Sequence, residues 1–178
     1  FGEMKALLGE EGIVFDKTSL HDVVQNTLGV ERKAIGIGYP ESTEEVQAVV
    51  KLAQQYGVSL YPISRGKNIG YGEKAPAQDG CLVLSLERMR TIRDFDAVTG
   101  EVTIEPGVSQ SDLYEFLQAQ GGTYFADMTG APGDASIVGN ILEGGFGHTP
   151  YGEHRKNISD IEVVLGTGAL FRAGDFPN

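Results

Sequence analysis

Positive charge is what this sequence lacks most. Fourteen Lys and Arg stand against 25 Asp and Glu, a net charge of -11 over 178 residues. That balance argues against nucleic acid and anionic membranes as partners. Cysteine is nearly absent. The single thiol, Cys81, lies in the apolar run Cys81-Leu82-Val83-Leu84, which excludes a disulfide framework and a cysteine metal site and marks it as buried and inert. No metal is expected. No apolar run approaches the ~18 residues that span a bilayer. No signal-peptide pattern opens the chain. It starts at Phe1 rather than Met, so an N-terminal piece is expected to be missing, and cytoplasm and periplasm both stay open.

Glycine, by contrast, is abundant, 25 of 178 residues, about twice ordinary usage. It gathers at 64–72 and 129–152, a pattern of ligand-contacting loops. The first cluster, Ser64-Arg65-Gly66-Lys67-Asn68-Ile69-Gly70-Tyr71-Gly72, follows the strand-like run Ser59–Ile63. Glycine there lets the backbone turn sharply and approach a ligand, and successive amides can converge on an anion. Such a loop is either a tight connection or a cradle for phosphate, with Arg65 and Lys67 adding local positive charge. It has no Gly-Lys-Ser or Gly-Lys-Thr ending, and Gly66, Gly70 and Gly72 do not have the Rossmann spacing.

The elements are mixed. Residues 2–11 read as a short helix, 13–33 give no clear pattern, and 34–40 read as a strand. Ser42 with Glu45 forms a capping box before a helix carrying Val46, Val49, Val50 and Ala53, which Gly57 ends. The strand 59–63 then completes a βαβ unit, expected to be parallel with a right-handed crossover. In the second half, strands are expected at 81–86, 90–97 and 101–105. A helix follows, capped by Ser109 with Asp112 and ended by Gly121-Gly122. A hairpin is expected around Gly166-Thr167-Gly168. The fold class is α+β, in two lobes: 1–72, with the βαβ core and the loop 64–72, and 73–178. The segment 129–152, long and mostly aperiodic, is of the kind that is commonly functional. Two glycine-rich segments suit an extended dinucleotide.

Four motifs in order, Ser64-x-Gly66-Lys67-Asn68-x-Gly70-Tyr71-Gly72, Glu105-Pro106-Gly107-Val108, Val138-Gly139-Asn140 and Thr149-Pro150-Tyr151-Gly152-Glu153-His154, closely resemble the vanillyl-alcohol oxidase / p-cresol methylhydroxylase flavoproteins. The last run looks especially like the branch that oxidises 4-alkylphenols. The resemblance implies an FAD-binding domain of the PCMH type, two α/β subdomains with FAD between them. Arg65, Gly66, Lys67, Asn68 and Ile69 would wrap the pyrophosphate through backbone amides, with Pro62 and Ile63 beside it. Pro106 and Gly107 would shape a wall near the adenine half. Ala135, Ser136, Val138, Gly139 and Asn140 would line the ribityl and ring path, with Gly144, Gly145 and Gly147 nearby and Val163 near the adenosine. Tyr71 matches a tyrosine that helps bind the substrate phenolate. Glu153 stands where the family has an acid close to flavin N5.

The implied activity is hydride removal from the benzylic carbon of a 4-alkylphenol, passing through a quinone methide. Electrons would go to a c-type cytochrome subunit or to O₂, and the full-length flavoprotein would be a homodimer. The alternatives are an FAD-dependent 2-hydroxy-acid dehydrogenase and a non-catalytic flavin-binding fragment. The family's substrate (cap) domain is absent from this chain, so it is expected to be a fragment, inactive alone. Asn68 excludes flavin attachment through a histidine in this loop. His148 and His154 are expected to be structural, His21 has no evident partner, and Asp127 and Asp134 are expected to shape turns. Asn157-Ile158-Ser159 matches a glycosylation triplet of the kind that arises by chance.

Overall fold

The structure is a computed structural model that describes residues 1–68 and 73–173. The candidates Ile69 and Tyr71 lie outside the described residues. The chain forms two compact units, and each is built from discontinuous segments. The first takes 1–63, 68–86 and the chain from 159 onward; the second takes 64–67 and 87–158.

The first unit is built on a four-stranded sheet of order β1-β2-β4-β3. Its strands are β1 (Ile13–Val14), β2 (Ala34–Gly38), β3 (Leu60–Ile63) and β4 (Cys81–Ser85). All five residues of β4 are buried. A strand so apolar can sit only at the centre of a sheet covered on both faces. It therefore lies between β2 and β3, parallel to each, with Val83 opposite both Ile37 and Tyr61. The expected strand–helix–strand unit is parallel, but its two strands do not pair with each other. Alternation along β4 splits the core. Leu82 and Leu84 pack with Met4, Ile13 and Val49 on one face, and Val83 packs with Val23 and Ile37 on the other.

The helices of this unit are α1 (Gly2–Leu8), α2 (Lys17–Val24) and α3 (Thr43–Tyr56). Ser42 Oγ accepts from the Glu45 amide at 3.2 Å. The Glu45 carboxylate reaches back to the Glu41 amide at 2.8 Å rather than to that of Ser42, so only half of the expected capping box forms. Gly57 closes α3 in the left-handed conformation, φ 65°. The segment 13–33, unreadable in the sequence, contains α2, whose cap Asp16 accepts from the Ser19 amide at 2.9 Å. The hairpin β7 (Glu162–Val164) and β8 (Leu170–Arg172) is antiparallel as expected. It belongs to the first unit because it docks on α3. Gln47 Nε2 donates to the Gly168 carbonyl at 2.8 Å, and a side chain at Gly168 would collide with Lys51. These contacts hold the hairpin within the first unit.

The second unit holds the antiparallel pair β5 (Ile92–Asp96) and β6 (Glu101–Ile104), with helices α4 (Gln110–Ala119) and α5 (Ile137–Leu142). Val108, Leu113 and Leu117 are its buried centre, packed by Ile92, Phe95, Val102, Ile104, Phe116, Tyr124 and Ile137. At the start of α4 the expected capping box is complete, between Ser109 and Asp112. Arg90 adds an ion pair to Asp112 at 2.5 Å. Among the described residues no helix is long and apolar enough to cross a membrane, and no group of three or more His, Cys, Asp or Glu is placed to hold a metal ion.

Burial opposes ionisation of Asp112, but hydrogen bonds from Ser109 and the Arg90 guanidinium outweigh it and hold the carboxyl below its ordinary 3.8. A lowered folded-state value means the group stabilises the fold above its unfolded value and loses that contribution as pH falls through the folded one. Asp112→Asn is therefore expected to lower stability by about 1 kcal/mol at neutral pH, the usual worth of a cap. The difference from the wild type should narrow below pH 3.8. Urea melts at pH 7 and pH 3 check both halves of this statement.

Candidate functional site

The loop that follows β3 packs within the second unit as Ser64–Lys67. Gly66 turns it with φ 64°, in the left-handed region open to glycine. Among the described residues, the amides of Arg65, Gly66 and Lys67 donate to no protein acceptor. The side chains, in contrast, are fully engaged. Arg65 donates from Nε to the Asp134 carbonyl at 2.6 Å and from Nη1 to the Gly107 carbonyl at 3.1 Å. Lys67 Nζ meets the Asp134 carboxylate at 2.7 Å. The Lys67 hydrogen bond first, then the charges of Lys67 and Arg65, hold the Asp134 carboxyl below the ordinary range, against a smaller opposing effect of burial. Asp134, expected only to shape a turn, is thus the clasp of the loop.

Two further segments meet it. Residues 106–111 and 133–137 run together, with Gln110 N donating to the Ala135 carbonyl at 3.0 Å and Ile137 N to that of Val108 at 3.2 Å. Ser136 caps α5 by accepting from the Gly139 amide at 3.0 Å, while its own hydroxyl donates to the Pro106 carbonyl at 2.7 Å. A methyl at Gly139 would stand 3.2 Å from Ser64 Oγ, so α5 comes close to the loop here. Gly107, Ala135 and Ser136 are buried in the protein; Pro106, Val138, Gly139 and Asn140 are partly open.

Beyond α5 the chain folds back, with Phe146 bridged to Glu153 and His154 N donating to the Gly145 carbonyl at 3.0 Å. His154 is not isolated. Its Nδ1 lies 2.7 Å from Asn140 Oδ1 and its Nε2 3.4 Å from Asp127 Oδ2, both side chains about nine-tenths buried. Asp127 Oδ1 accepts from the Thr149 amide at 3.3 Å. Burial opposes ionisation of Asp127, yet the hydrogen bonds from Thr149 and His154 outweigh it and leave the carboxyl below the usual range. A side chain at Gly145 would overlap Asn140, and one at Gly147 would overlap the Asp127 carboxylate. Those two glycines are therefore required by the protein itself, whatever they add for a ligand. Glu153 is half-buried and paired with Arg155 Nε.

Of the residues singled out in the sequence, Arg65, Gly66, Lys67, Pro106, Gly107, Ala135, Ser136, Val138, Gly139, Asn140, Gly144, Gly145, Gly147 and Glu153 fall in the second unit. Pro62, Asn68 and Val163 belong to the first. Asn68 accepts from the Glu73 amide at 3.1 Å, and Pro62 and Val163 are exposed. His21 has a neighbour after all, Gln25 one turn on. Asp127 and His154 carried no sequence signal as a pair, because 27 positions separate them and only the fold joins them.

A family model described as an FAD binding domain matches residues 34–174. The chain is 38% identical over 96% of its length to a 1'-carboxy-chondrochloren decarboxylase of Chondromyces crocatus. It is 31% identical over 97% to the flavoprotein subunit of the hydroxylating 4-cresol dehydrogenase of Pseudomonas putida. It spans 31% and 34% of those proteins. Among solved structures, p-cresol methylhydroxylase with substrate bound superposes with a TM-score of 0.93 at 31% identity over 99% of this chain and 35% of that one. The 4-ethylphenol oxidase of Gulosibacter chungangensis gives 0.87 at 31% over 96% of this chain and 33% of that one. The chain belongs to the family of FAD binding domains, with the PCMH-type α+β fold, and its cofactor is FAD. The residues present fit that group, since unpartnered amides around a left-handed glycine are what a pyrophosphate takes.

Gly147→Ala is expected to cost about 1–3 kcal/mol, because the Asp127 carboxylate must give way inside a packed site. Thermal unfolding should show it. An unchanged melting temperature would mean that the carboxylate swings aside freely.

Proposed function

We propose, from the chain's place among FAD binding domains, that it is the flavin-holding part of an oxidoreductase that takes hydride from the benzylic carbon of a 4-alkylphenol. The observation that carries this reading is the Thr149–His154 run, set in a chain 31% identical over nearly its whole length to a 4-cresol dehydrogenase flavoprotein subunit. Bound FAD supplies the hydride acceptor. The protein's part is to bind, orient and manage protons.

The amides of Arg65–Ile69 hold the pyrophosphate, with Pro62 alongside. The Arg65 and Lys67 side chains brace the loop instead of reaching the ligand. Pro106 and Gly107 shape the wall near the adenine half. Ala135, Ser136, Val138, Gly139 and Asn140 line the ribityl and ring path, Gly144, Gly145 and Gly147 give it room, and Val163 packs near the adenosine. In this reading residues 1–72 and 73–178 contribute one flavin-binding subdomain each. Tyr71 donates a hydrogen bond to the substrate's phenolate oxygen, which lowers the cost of ionising the phenol. An ionised phenol releases benzylic hydride readily because a quinone methide results. Glu153 holds or moves a proton near flavin N5.

The partners are then a small phenol, a second copy of the flavoprotein, and a c-type cytochrome subunit or O₂ as electron acceptor. A second reading, an FAD-dependent 2-hydroxy-acid dehydrogenase, has its own support. A D-2-hydroxyglutarate dehydrogenase of Xanthomonas citri pv. viticola is 38% identical over 76% of this chain, which spans 29% of that protein.

Anaerobic mixing of the flavin-loaded full-length flavoprotein with 4-methylphenol should bleach the flavin within minutes, while 2-hydroxyglutarate and lactate leave it oxidised. The reverse pattern would transfer the assignment to the 2-hydroxy acids. Tyr71→Phe should slow flavin reduction or weaken phenol binding by about tenfold, the worth of one hydrogen bond to a charged group. Wild-type reduction kinetics in that variant would remove Tyr71 from the site.

A further inference from the structure

Arg65 sits in the glycine loop, yet the partners of its guanidinium are protein carbonyls. Nε donates to the Asp134 carbonyl at 2.6 Å and Nη1 to the Gly107 carbonyl at 3.1 Å, 69 and 42 positions away in the chain. Both carbonyls stand on fixed backbone. Gly107 N donates to the carbonyl of buried Met89 at 2.7 Å. Asp134 lies between Gly133 and Ala135, whose carbonyls accept from the amides of Ser111 at 2.8 Å and Gln110 at 3.0 Å in the first turn of α4. The Gln110 side chain, 6% exposed, pins the residues just before them. Its Nε2 donates to the carbonyls of Ala131 and Pro132 at 3.1 and 3.2 Å, and its Oε1 accepts from the Thr129 amide at 2.7 Å. A side chain at Gly133 would collide with Ser111 Oγ, so the turn lies close against the helix. A buried polar group with this many partners stiffens the segment it holds.

Arginine suits such a brace for a geometric reason. Its planar head presents donors in fixed, divergent directions, so one side chain reaches two carbonyls at once; the ammonium of lysine is a point charge on a flexible stem. The other cation of the loop, Lys67, closes on the Asp134 carboxylate at 2.7 Å. The amides of Arg65, Gly66 and Lys67 meanwhile donate to no protein acceptor among the described residues.

We propose that Arg65 is a positioning residue for FAD: by tying Ser64–Lys67 to the Gly107 and Asp134 carbonyls it sets the loop, before the cofactor arrives, in the shape whose open amides take the pyrophosphate, and it acts through this geometry and touches no phosphate. The inference rests on reading the loop as the pyrophosphate cradle. A loop already in its bound shape avoids the cost of ordering on binding. One that is competent only part of the time binds more weakly by that fraction.

The test is the dissociation constant of FAD from the flavin-free form of the full-length flavoprotein, followed by quenching of flavin fluorescence. Riboflavin, which carries no phosphate, is the second ligand. Arg65→Gln should weaken FAD by about tenfold, the scale of one hydrogen bond from a charged donor, and leave riboflavin unchanged. Arg65→Lys should weaken FAD nearly as much, because it keeps the charge and loses the bridge between two carbonyls. Rescue by lysine would overturn the proposal, since that is how a cation attracting phosphate behaves. Equal weakening of both ligands would overturn it as well, as the sign of general damage to the fold.

Gly66→Ala separates this inference from the reading beneath it. The backbone there is left-handed, φ 64°, and strained for any residue with a Cβ, so a cradle built on it must bind FAD more weakly. Weaker FAD in Gly66→Ala but unchanged FAD in both Arg65 variants overturns the Arg65 inference and keeps the cradle. Unchanged FAD in all three removes the cradle and this inference with it. Should the variants not fold, or riboflavin not bind, a crystal structure of the FAD-loaded wild-type flavoprotein decides. Arg65 is expected on the Gly107 and Asp134 carbonyls with the loop amides on the pyrophosphate. A guanidinium nitrogen within hydrogen-bond reach of a phosphate oxygen is the overturning result. None of these outcomes involves the substrate, so a flavin that 4-methylphenol fails to bleach sinks the phenol reading alone.

Discussion

A loop meant to grip a diphosphate faces conflicting demands. Its amides must be left without protein acceptors, yet the backbone must stay in one shape before the ligand arrives. Fixing a residue costs about 1–2 kcal/mol of backbone entropy, and glycine, with the most freedom to lose, costs more than its neighbours. The structure resolves the conflict through side chains. Arg65 spans the carbonyls of Gly107 and Asp134, and Lys67 closes on the Asp134 carboxylate. The loop is held from behind while its amides stay available. Asp134 is the hub: it anchors Arg65 through its carbonyl and Lys67 through its carboxylate. The wall formed by Pro106, Ser136 and the start of α5 is stitched to the same region by one hydroxyl that donates and accepts at once.

The second glycine-rich stretch answers a different need. Glycine density in a ligand-binding segment invites the reading that every glycine makes room for the ligand. Gly145 and Gly147 make room for Asn140 and Asp127. The ribbon's shape is set by a buried polar network, and such a network is expensive unless its members find partners. The Thr149 amide partners Asp127 Oδ1 and Asn140 partners His154 Nδ1, while Asp127 Oδ2 and His154 Nε2 stay buried without a hydrogen-bond partner.

Local signals in the sequence were reliable where chemistry is local. The caps at Ser42 and Ser109, the stop at Gly57, the hairpin around Gly166–Gly168 and the buried run at Cys81 all depend on neighbours within a few residues. The position of β4 between β2 and β3 was not legible in that way. It follows from β4 being apolar on both faces, a property visible in Cys81–Ser85 but decisive only when strands compete for the centre of a sheet. The helix Lys17–Val24 was missed although Asp16, Leu20, Val23 and Val24 carry a cap and a helical stripe, because one short amphipathic turn is weak evidence next to polar flanks. The role of Asp134 and the pairing of Asp127 with His154 were beyond reach for another reason. Both join residues far apart in the chain, and an aspartate followed by small residues looks the same whether it shapes a turn or binds a distant lysine. The four motifs carried the family and its cofactor, because motif order and spacing register a shared fold even where single contacts cannot be read.

Charge completes the physical picture. A chain of net charge -11 has to hold a cofactor whose pyrophosphate is anionic, and bare repulsion between them would weaken binding. The clasp alters the balance locally. Lys67 meets the Asp134 carboxylate and Arg65 the main-chain carbonyls of Asp134 and Gly107, so two cations stand beside one carboxylate and the loop keeps an excess of positive charge although its side chains are tied. Backbone amides add partial positive charge without a counterion to displace. Anion binding in an acidic protein thus needs no free surface lysines, only a short neutralised frame and amides left open in front of it. Under the proposed function, the attraction for the phosphates is then short-range and local to this loop, while the rest of the surface keeps its negative charge.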